Sequence, residues 1–379
     1  MSYSRHGLSS PPSSVQVRRL GVVMEPDPSS ALEVEGVCNP GVARGIDGEL
    51  YLFPRLVARD NYSRIGIARV RFNADGDPIG VERLGIALEP SAPYERAGPG
   101  QGGCEDPRVS YLAPLGRYVM SYTALGSESP RIALATSDDL FRWERLGLVW
   151  FEDPALGVDF NAVNDKDAVF FPQATVDAHG RPALALVHRP LFPRSMPGDA
   201  ATAPVPRTLD LDRESMWLSY CSLKAATCNR HLLCHFTTHC RLASPVSPWE
   251  RLKIGAGTPP VATEHGYVML YHGVAGDVVD DVRTMTYAGG LMVLDKKDPR
   301  VIRYRSPEPV LEPQQPEELK GTVDRVVFPT GADLRTDLGL RHRLDVYYGM
   351  ADQRIGAACI DLPRSFPVGA PADRSDHCI

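Results

Sequence analysis

Nowhere in this chain do eighteen apolar residues run together, and the opening Met1-Ser2-Tyr3-Ser4-Arg5-His6 has no apolar core of the signal-peptide kind. A membrane-spanning helix is therefore not expected, and the protein reads as cytoplasmic. Positive charge is also short: 41 Lys and Arg stand against 47 Asp and Glu, a formal net charge of -6. Such a balance gives no basic field for nucleic acid or an anionic membrane and suits a small or neutral ligand instead. Cysteine is sparse, eight in 379 residues. Cys38, Cys104 and Cys359 read as free thiols of a reducing compartment, and no obligatory disulfide is expected. Helical periodicity is weak throughout, which excludes a bundle.

What the chain does contain is a succession of short alternating or apolar runs bounded by Gly, Pro and Asp: Glu49 to Arg55, Arg64 to Val70, Arg117 to Tyr122, Arg131 to Thr136, Ala183 to His188, Tyr267 to His272 and Asp345 to Gly349. The pattern is all-β. Grouped, the runs form five units. Each opens beside a proline (Asn39-Pro40, Asp106-Pro107, Phe171-Pro172, Pro259-Pro260, Phe328-Pro329) and continues into two strand-like segments. Five units at intervals of roughly 65 to 90 residues predict a five-bladed β-propeller with one four-stranded sheet per blade. A two-sheet sandwich, the competing fold, does not explain five equivalent openings. Innermost strands of a propeller converge on its axis, so the openings are candidates to line one central active-site pocket. Residues 1–30 are expected as an N-terminal arm, 31–365 as the catalytic propeller and 366–379 as a C-terminal tail.

The most telling segment is Glu105-Asp106-Pro107-Arg108, behind Gly102-Gly103 and ahead of Val109-Ser110-Tyr111-Leu112. It sets two adjacent carboxylates where a strand begins. A proline after Asp106 favours extended geometry for that residue, so the Glu and Asp side chains are expected on opposite sides of the backbone. Alone, the tetrapeptide is an ordinary Asp-Pro turn; its surroundings give it weight.

Those surroundings are Asn39-Pro40-Gly41, Gly103 to Arg108, Lys166 to Pro172, His188-Arg189-Pro190, Lys253 to Pro260, Tyr271-His272-Gly273 and Tyr348 to Asp352. Together, and in this order, they resemble the signatures of the β-mannoside phosphorylases of glycoside hydrolase family 130, over roughly residues 35 to 362. The resemblance implies a five-bladed propeller and an inverting reaction in which inorganic phosphate, the co-substrate, displaces a terminal β-mannosyl unit as α-mannose 1-phosphate. No cofactor or metal is implied. One carboxylic acid then suffices, because the nucleophile is already anionic. The resemblance assigns that acid to Asp106, its proton passing through the mannose 3-hydroxyl. It assigns phosphate to Arg64, Lys166, Arg189 and His272, side chains that offer a planar fork, a point charge and a titratable donor. For the mannose it implies Asn39, Arg55, Asp167, Lys253, Tyr287, Phe328 and Asp352. Each cation taken singly reads better as a surface ion pair or a solvated charge, but four of them at blade-end positions of an acidic protein do not. Arg108 reads either as a substrate contact or as a structural pair with Glu105 or a neighbouring blade.

Two departures from the family pattern stand out. Cys221 to Cys240 holds Cys221, Cys228, His231, Cys234, His235, His239 and Cys240 where relatives have a short turn. Zinc is conceivable there, but paired Cys-x-x-Cys knuckles are absent, and an inserted loop with incidental thiols is the reading adopted. Thr330 stands where many relatives carry Cys. Three functions thus compete: a phosphorylase of manno-oligosaccharides or mannosyl disaccharides, a β-mannosidase with Glu105 or Glu264 as second carboxylate, and a non-catalytic sugar-binding propeller. The resemblance implies a β-mannoside and phosphate as substrates, and neither nucleic acid nor membrane is expected as partner, with room for a homo-oligomer.

Overall fold

The computed structural model describes residues 14–127, 129–152, 159–192, 214–279 and 282–367. Strands dominate. Most pair antiparallel, and they fall into five four-stranded groups, called sheets I to V; I and II are joined into one nine-stranded sheet by a parallel bridge between Ser63 and Gly103, and a short parallel pair, Trp150–Phe151 with His235–Phe236, stands apart. Sheet I runs Gly36–Arg44, Leu50–Val57, Ser63–Phe72 and Pro78–Leu88. Sheet II runs Gln101–Leu112, Arg117–Leu125, Pro130–Ser137 and Glu144–Leu148. Sheet III comprises Asn164–Phe170, Pro182–Leu191, Met216–Ser222 and Thr238–Ala243. Sheet IV comprises Lys253–Ala256, Gly266–Val279, Val282–Leu294 and Ile302–Arg305. Sheet V takes Val327–Leu334, Arg343–Met350 and Arg354–Asp361, and its fourth strand is Gln16–Met24 from the other end of the chain. Residues 1–30, expected as an arm, therefore supply a strand from Gln16 onward. Residues 368–379 of the expected tail lie outside the described residues.

Side chains alternate across a strand, and here both faces are apolar. Leu184 and Leu186 join a core with Val119, Ile132 and Leu134 of sheet II, whereas Ala183, Ala185 and Val187 join one with Ile254, Met269 and Tyr271 of sheet IV. The same division recurs around the molecule. Phe53, Ile65 and Ile67 of sheet I pack with Met120, Tyr122 and Ala133 of sheet II. Val268 and Leu270 of sheet IV pack with Leu344 and Val346 of sheet V. Tyr347 and Ala357 of sheet V pack with Val37, Leu52 and Val70 of sheet I. Five of the six apolar clusters among the described residues thus lie between two of these groups, one of them between sheets V and I, and a smaller sixth gathers Val327, Tyr348, Met350 and Ala358 of sheet V with Leu311. Asp77 of sheet I reinforces the junction of sheets V and I by accepting from Arg18 and Arg343.

The cysteines divide. Cys38, Cys104, Cys221, Cys228, Cys234 and Cys359 are free thiols, as read from the sequence, but Cys240 is disulfide-bonded, against the expectation of no disulfide. Its partner lies outside the described residues. Bonding is decided by the approach of two Cβ atoms in space, which spacing along the chain does not reveal. The Cys/His-rich insertion folds as a helix, Leu223–Cys228, and a short 3-10 turn, Arg230–Cys234. Its His239 is turned inward, bonded to the Ser219 hydroxyl at 2.8 Å and the Glu152 carbonyl at 3.1 Å. Among the described residues no helix is long and apolar enough to cross a membrane.

Candidate active site

In sheets I, II and III the opening strand carries a bulge at the same place. Between the pairs Cys38/Arg55 and Gly41/Phe53, two residues face one on the partner strand; so too between Glu105/Thr123 and Arg108/Ser121, and between Lys166/Arg189 and Val169/Val187. The first bulged residue is Asn39, Asp106 or Asp167, with φ of 45°, 47° and 58°. Non-glycine residues adopt this left-handed region rarely, and Asn and Asp tolerate it best. Three polar side chains are thereby re-aimed in the same way from three neighbouring sheets.

This corrects the expectation for Asp106. The residue is left-handed rather than extended, and its carboxylate does not diverge from that of Glu105. One arginine holds both: Arg55 donates to Glu105 Oε1 at 2.6 Å and to Asp106 Oδ1 at 3.2 Å. Asn39 donates a further hydrogen bond to Asp106 Oδ1 at 2.8 Å. Arg55 is fixed in turn by the Ser63 hydroxyl at 2.9 Å and the Asn61 amide oxygen at 2.7 Å. Lys166 Nζ lies 3.7 Å from Glu105 Oε2. Burial alone would raise the pKa of Asp106, but Arg55, Lys166 and Arg108, with the Asn39 amide, hold its carboxyl below the ordinary value. Asp352 goes the other way. Burial first, and then the charge of Asp106, push its carboxyl up to about 6.

Asp167 centres a second cluster. Its Oδ2 accepts from Arg189 Nε at 2.8 Å and lies 3.6 Å from His272 Nε2, while its Oδ1 is 3.4 Å from Arg108 Nη2. Burial opposes ionisation of Asp167, but Arg189, His272 and Arg108 overcome it and drive its carboxyl far below the usual range. The other end of Arg189 is held by Glu214. His272 is 1 % exposed, and neither ring nitrogen has a hydrogen-bond partner among the described residues. Burial, with Arg189 and Lys253 adding to it against Asp167, lowers its imidazole to about 3, so the ring is neutral at pH 7. Gly255 makes the room: a Cβ there would fall 2.4 Å from His272 Cε1 and 2.6 Å from Asp167 Oδ2.

Aromatic rings flank the second cluster. His272 packs on Phe328 at 4.5 Å between centroids, Tyr287 stacks beyond it at 6.3 Å, and Lys253 Nζ stands 5.3 Å over the Tyr287 ring. Arg108 joins the two clusters. Only 1 % exposed, it donates to the Asp106 carbonyl at 2.8 Å and to the Gly257 and Ala256 carbonyls at 3.2 and 3.3 Å, with its guanidinium 5.5 Å from the Phe328 ring centre. Of the two readings of Arg108, the structural one fits these contacts, with Asp167 of the neighbouring sheet, not Glu105, as the partner.

The sequence-derived candidates therefore fall into one connected set, with one exception. Asn39, Arg55, Asp106, Lys166, Asp167, Arg189, Lys253, His272, Tyr287, Phe328 and Asp352 are linked through the contacts above. Arg64 is not. It pairs with Glu89 at 2.7 Å and lies 4.5 Å over the Tyr62 ring. Sequence reasoning missed Glu214 and the spacing role of Gly255. The glycine stood inside a recognised segment, but only the facing strand shows what its missing side chain admits. Glu214 carried no signal.

A family model described as beta-1,4-mannooligosaccharide phosphorylase, of glycoside hydrolase family 130, matches residues 16–364. A 1,2-beta-oligomannan phosphorylase from Thermoanaerobacter sp. is 29% identical over 265 residues, 69% of either chain. A beta-1,2-mannobiose phosphorylase from the same organism is 31% identical over 262 residues, covering 68% of this chain and 67% of that one. The solved structure of the Listeria innocua beta-1,2-mannobiose phosphorylase with beta-1,2-mannobiose superposes with a TM-score of 0.65 at 22% identity, over 91% of this chain and 97% of that one. With a family match running through all five sheets, this chain is a member of glycoside hydrolase family 130.

Proposed function

We propose that the protein is a β-mannoside phosphorylase: phosphate attacks the anomeric carbon of a terminal β-mannosyl unit with inversion, and the products are α-mannose 1-phosphate and a shortened acceptor. The five sheets then form the blades of a five-bladed β-propeller, with the bulges of sheets I to III facing its central pocket. One observation carries the reading. A buried acid, Asp106, is positioned by Asn39 and Arg55 beside a cation-rich cluster in which the buried nitrogens of His272 have no hydrogen-bond partner among the described residues.

The chemistry follows from the charges. A phosphate oxygen forms the new bond to the anomeric carbon as the bond to the acceptor oxygen breaks, and that oxygen must gain a proton. Asp106 is held ionised in the ligand-free site. A phosphate anion placed among Lys166, Arg189 and His272 adds negative charge, which offsets the cations that depress Asp106 and lets its carboxyl take up the proton it delivers. The same anion favours the protonated form of His272, giving a second donor. Phe328 and Tyr287 supply apolar faces for the sugar ring, and Asp352 accepts or donates to its hydroxyls in either protonation state.

A hydrolase needs a second carboxylate free to activate water. Glu105 is committed to Arg55 at 2.6 Å, and Glu264 is 71% exposed beside His265. Neither suits that role. The test is incubation of the purified protein with α-mannose 1-phosphate and a panel of sugar acceptors. Acceptor-dependent phosphate release supports a phosphorylase, whereas mannose freed from β-mannosides in phosphate-free buffer, without such release, identifies a hydrolase.

A further inference from the structure

Sheet III carries a buried chain of polar groups that none of the roles above uses, with one side chain from each of its four strands. His188 Nδ1 lies 2.6 Å from Asp165 Oδ2, and His188 Nε2 lies 2.7 Å from the Ser219 hydroxyl. That hydroxyl is 2.8 Å from His239 Nδ1, and His239 Nε2 ends the chain 3.1 Å from the Glu152 carbonyl. None of the four side chains is more than 1 % exposed. Phe151 and Phe160 pack on both imidazoles, Phe151 stacking on His188 at 4.6 Å between centroids. The first end of the chain touches the site's framework. His188, between Val187 and Arg189, is the one residue that faces the bulge of Asp167 and Ala168 on the opening strand.

The Glu152 end fixes the direction of every hydrogen bond in the chain. A carbonyl only accepts, so His239 Nε2 carries a proton and donates it. Burial, with His188 adding to it, lowers His239 to about 4, so the ring is neutral at pH 7 and its Nδ1 accepts from the Ser219 hydroxyl. With its own proton placed there, Ser219 accepts from His188 Nε2. His188 Nδ1 and Asp165 Oδ2 then face each other at 2.6 Å. Two bare acceptors do not approach so closely, and a proton lies between them. The other oxygen, Asp165 Oδ1, is buried with no hydrogen-bond partner among the described residues. An uncompensated negative charge there is costly, and the shared proton removes it.

We propose that this chain keeps Asp165 and His188 jointly neutral behind the phosphate-binding cations, and that His188, Ser219 and His239 are positioning residues that act on phosphate by holding that proton. His239 stands in the Cys/His-rich segment, which thereby serves the site as the far end of a hydrogen-bond relay. Breaking the relay reverses the first link. His188 Nε2, left without an acceptor, loses its proton to solvent, His188 Nδ1 donates to an ionised Asp165, and the pair carries one negative charge. That charge lies one residue along the strand from Lys166 and from Arg189, across from the bulge of Asp167, and repels phosphate. The inference rests on the phosphorylase reading for its effect on phosphate and on the hydrogen-bond directions alone for the proton.

Ser219→Ala and His239→Leu break the relay. His239→Asn keeps an acceptor oxygen near the Nδ1 position, and Asp165→Asn keeps the pair neutral, its amide donating to His188 Nδ1. In phosphorolysis with phosphate varied at fixed mannoside, the two breaking variants raise the phosphate KM roughly tenfold and leave the mannoside KM within about twofold. The two conserving variants stay within about twofold on both. Adding Asp165→Asn to Ser219→Ala restores the phosphate KM, because no carboxylate remains to ionise, whereas plain structural damage would accumulate. A natural phosphate KM in Ser219→Ala, an equal rise in the mannoside KM, or a double variant worse than Ser219→Ala alone overturns the proposal. NMR of isotope-labelled histidine needs no turnover and separates this from failure of the phosphorylase reading. His188 Nε2 is protonated in the natural protein and bare in Ser219→Ala, whatever reaction the protein catalyses. A bare His188 Nε2 in the natural protein sinks the relay, even where a breaking variant fails to fold.

Discussion

Gly255→Ala tests the link between the His272–Asp167 pair and phosphate without replacing any charged group. The added methyl would sit 2.4 Å from His272 Cε1, 2.6 Å from Asp167 Oδ2 and 2.7 Å from His272 Nε2. Ordinary contacts begin near 3.5 Å, so the shortfall is about 1 Å. The backbone cannot yield easily, because Gly255 lies in the strand Lys253–Ala256 and is paired directly with His272. The imidazole and carboxylate must move instead. Overpacking of this kind costs about 1–3 kcal/mol, of which roughly 0.4–1 kcal/mol is returned by the stiffer unfolded chain. In a chain of this length the melting temperature then falls by only about 1–4 °C. Function is far more sensitive, since a displacement near 1 Å at reacting groups is worth up to roughly 100-fold. Phosphorolysis assayed with phosphate varied at fixed mannoside should show an apparent phosphate KM raised about 10- to 100-fold. The KM for the mannoside changes much less. A folded Gly255→Ala protein with the natural phosphate KM and kcat would refute the placement of phosphate beside His272.

Asp106→Asn keeps the Asn39 and Arg55 neighbours but removes the proton, so kcat on β-mannosides should fall by about 10²- to 10⁴-fold while sugar binding by calorimetry stays near natural; retained turnover would move the acid elsewhere. Arg108→Lys replaces a fork serving three carbonyls and Asp167 with a single point charge. A several-fold loss of kcat and a lower melting temperature are expected, and a variant natural in both would remove Arg108 as the joint between the clusters. Stability of the ligand-free protein should also depend on pH. His272 and His239 are lowered to about 3 and about 4, mainly by burial, so from pH 6.5 downward the unfolded chain binds protons that the folded chain refuses, and stability falls as pH falls. Each histidine contributes about 1 kcal/mol per pH unit in that window. Asp352, raised to about 6, acts oppositely between about pH 4 and 6 and cancels one of them. Melting temperatures taken from pH 7 to 5 should therefore decline, and saturating phosphate should flatten the decline by stabilising protonated His272. A phosphate-independent slope would count against that contact.

Some of this was legible along the chain. Runs such as Ala183 to His188 are apolar on both alternating faces, and that alone requires a sheet packed on two sides. Five Pro-marked openings each mark the start of a four-stranded group, and the two carboxylates ahead of Pro107 lie together on one arginine, Arg55. The sequence by itself determined the all-β class and the family signatures, because strand period and turn chemistry are local. Which side chains meet was decided only in three dimensions. Asp106 and Glu105 share Arg55 because a bulge turns Asp106 left-handed, and one extra residue in a strand leaves no trace in alternation. Arg64 looked equivalent to Arg189, yet one pairs with Glu89 at the rim and the other with Asp167 in the interior. Gly255 matters because His272 faces it from the neighbouring strand, and the strand Gln16–Met24 completes the sheet of Arg354–Asp361 from the far end of the chain. Such pairings depend on how whole sheets stack on one another, over separations that no local pattern encodes.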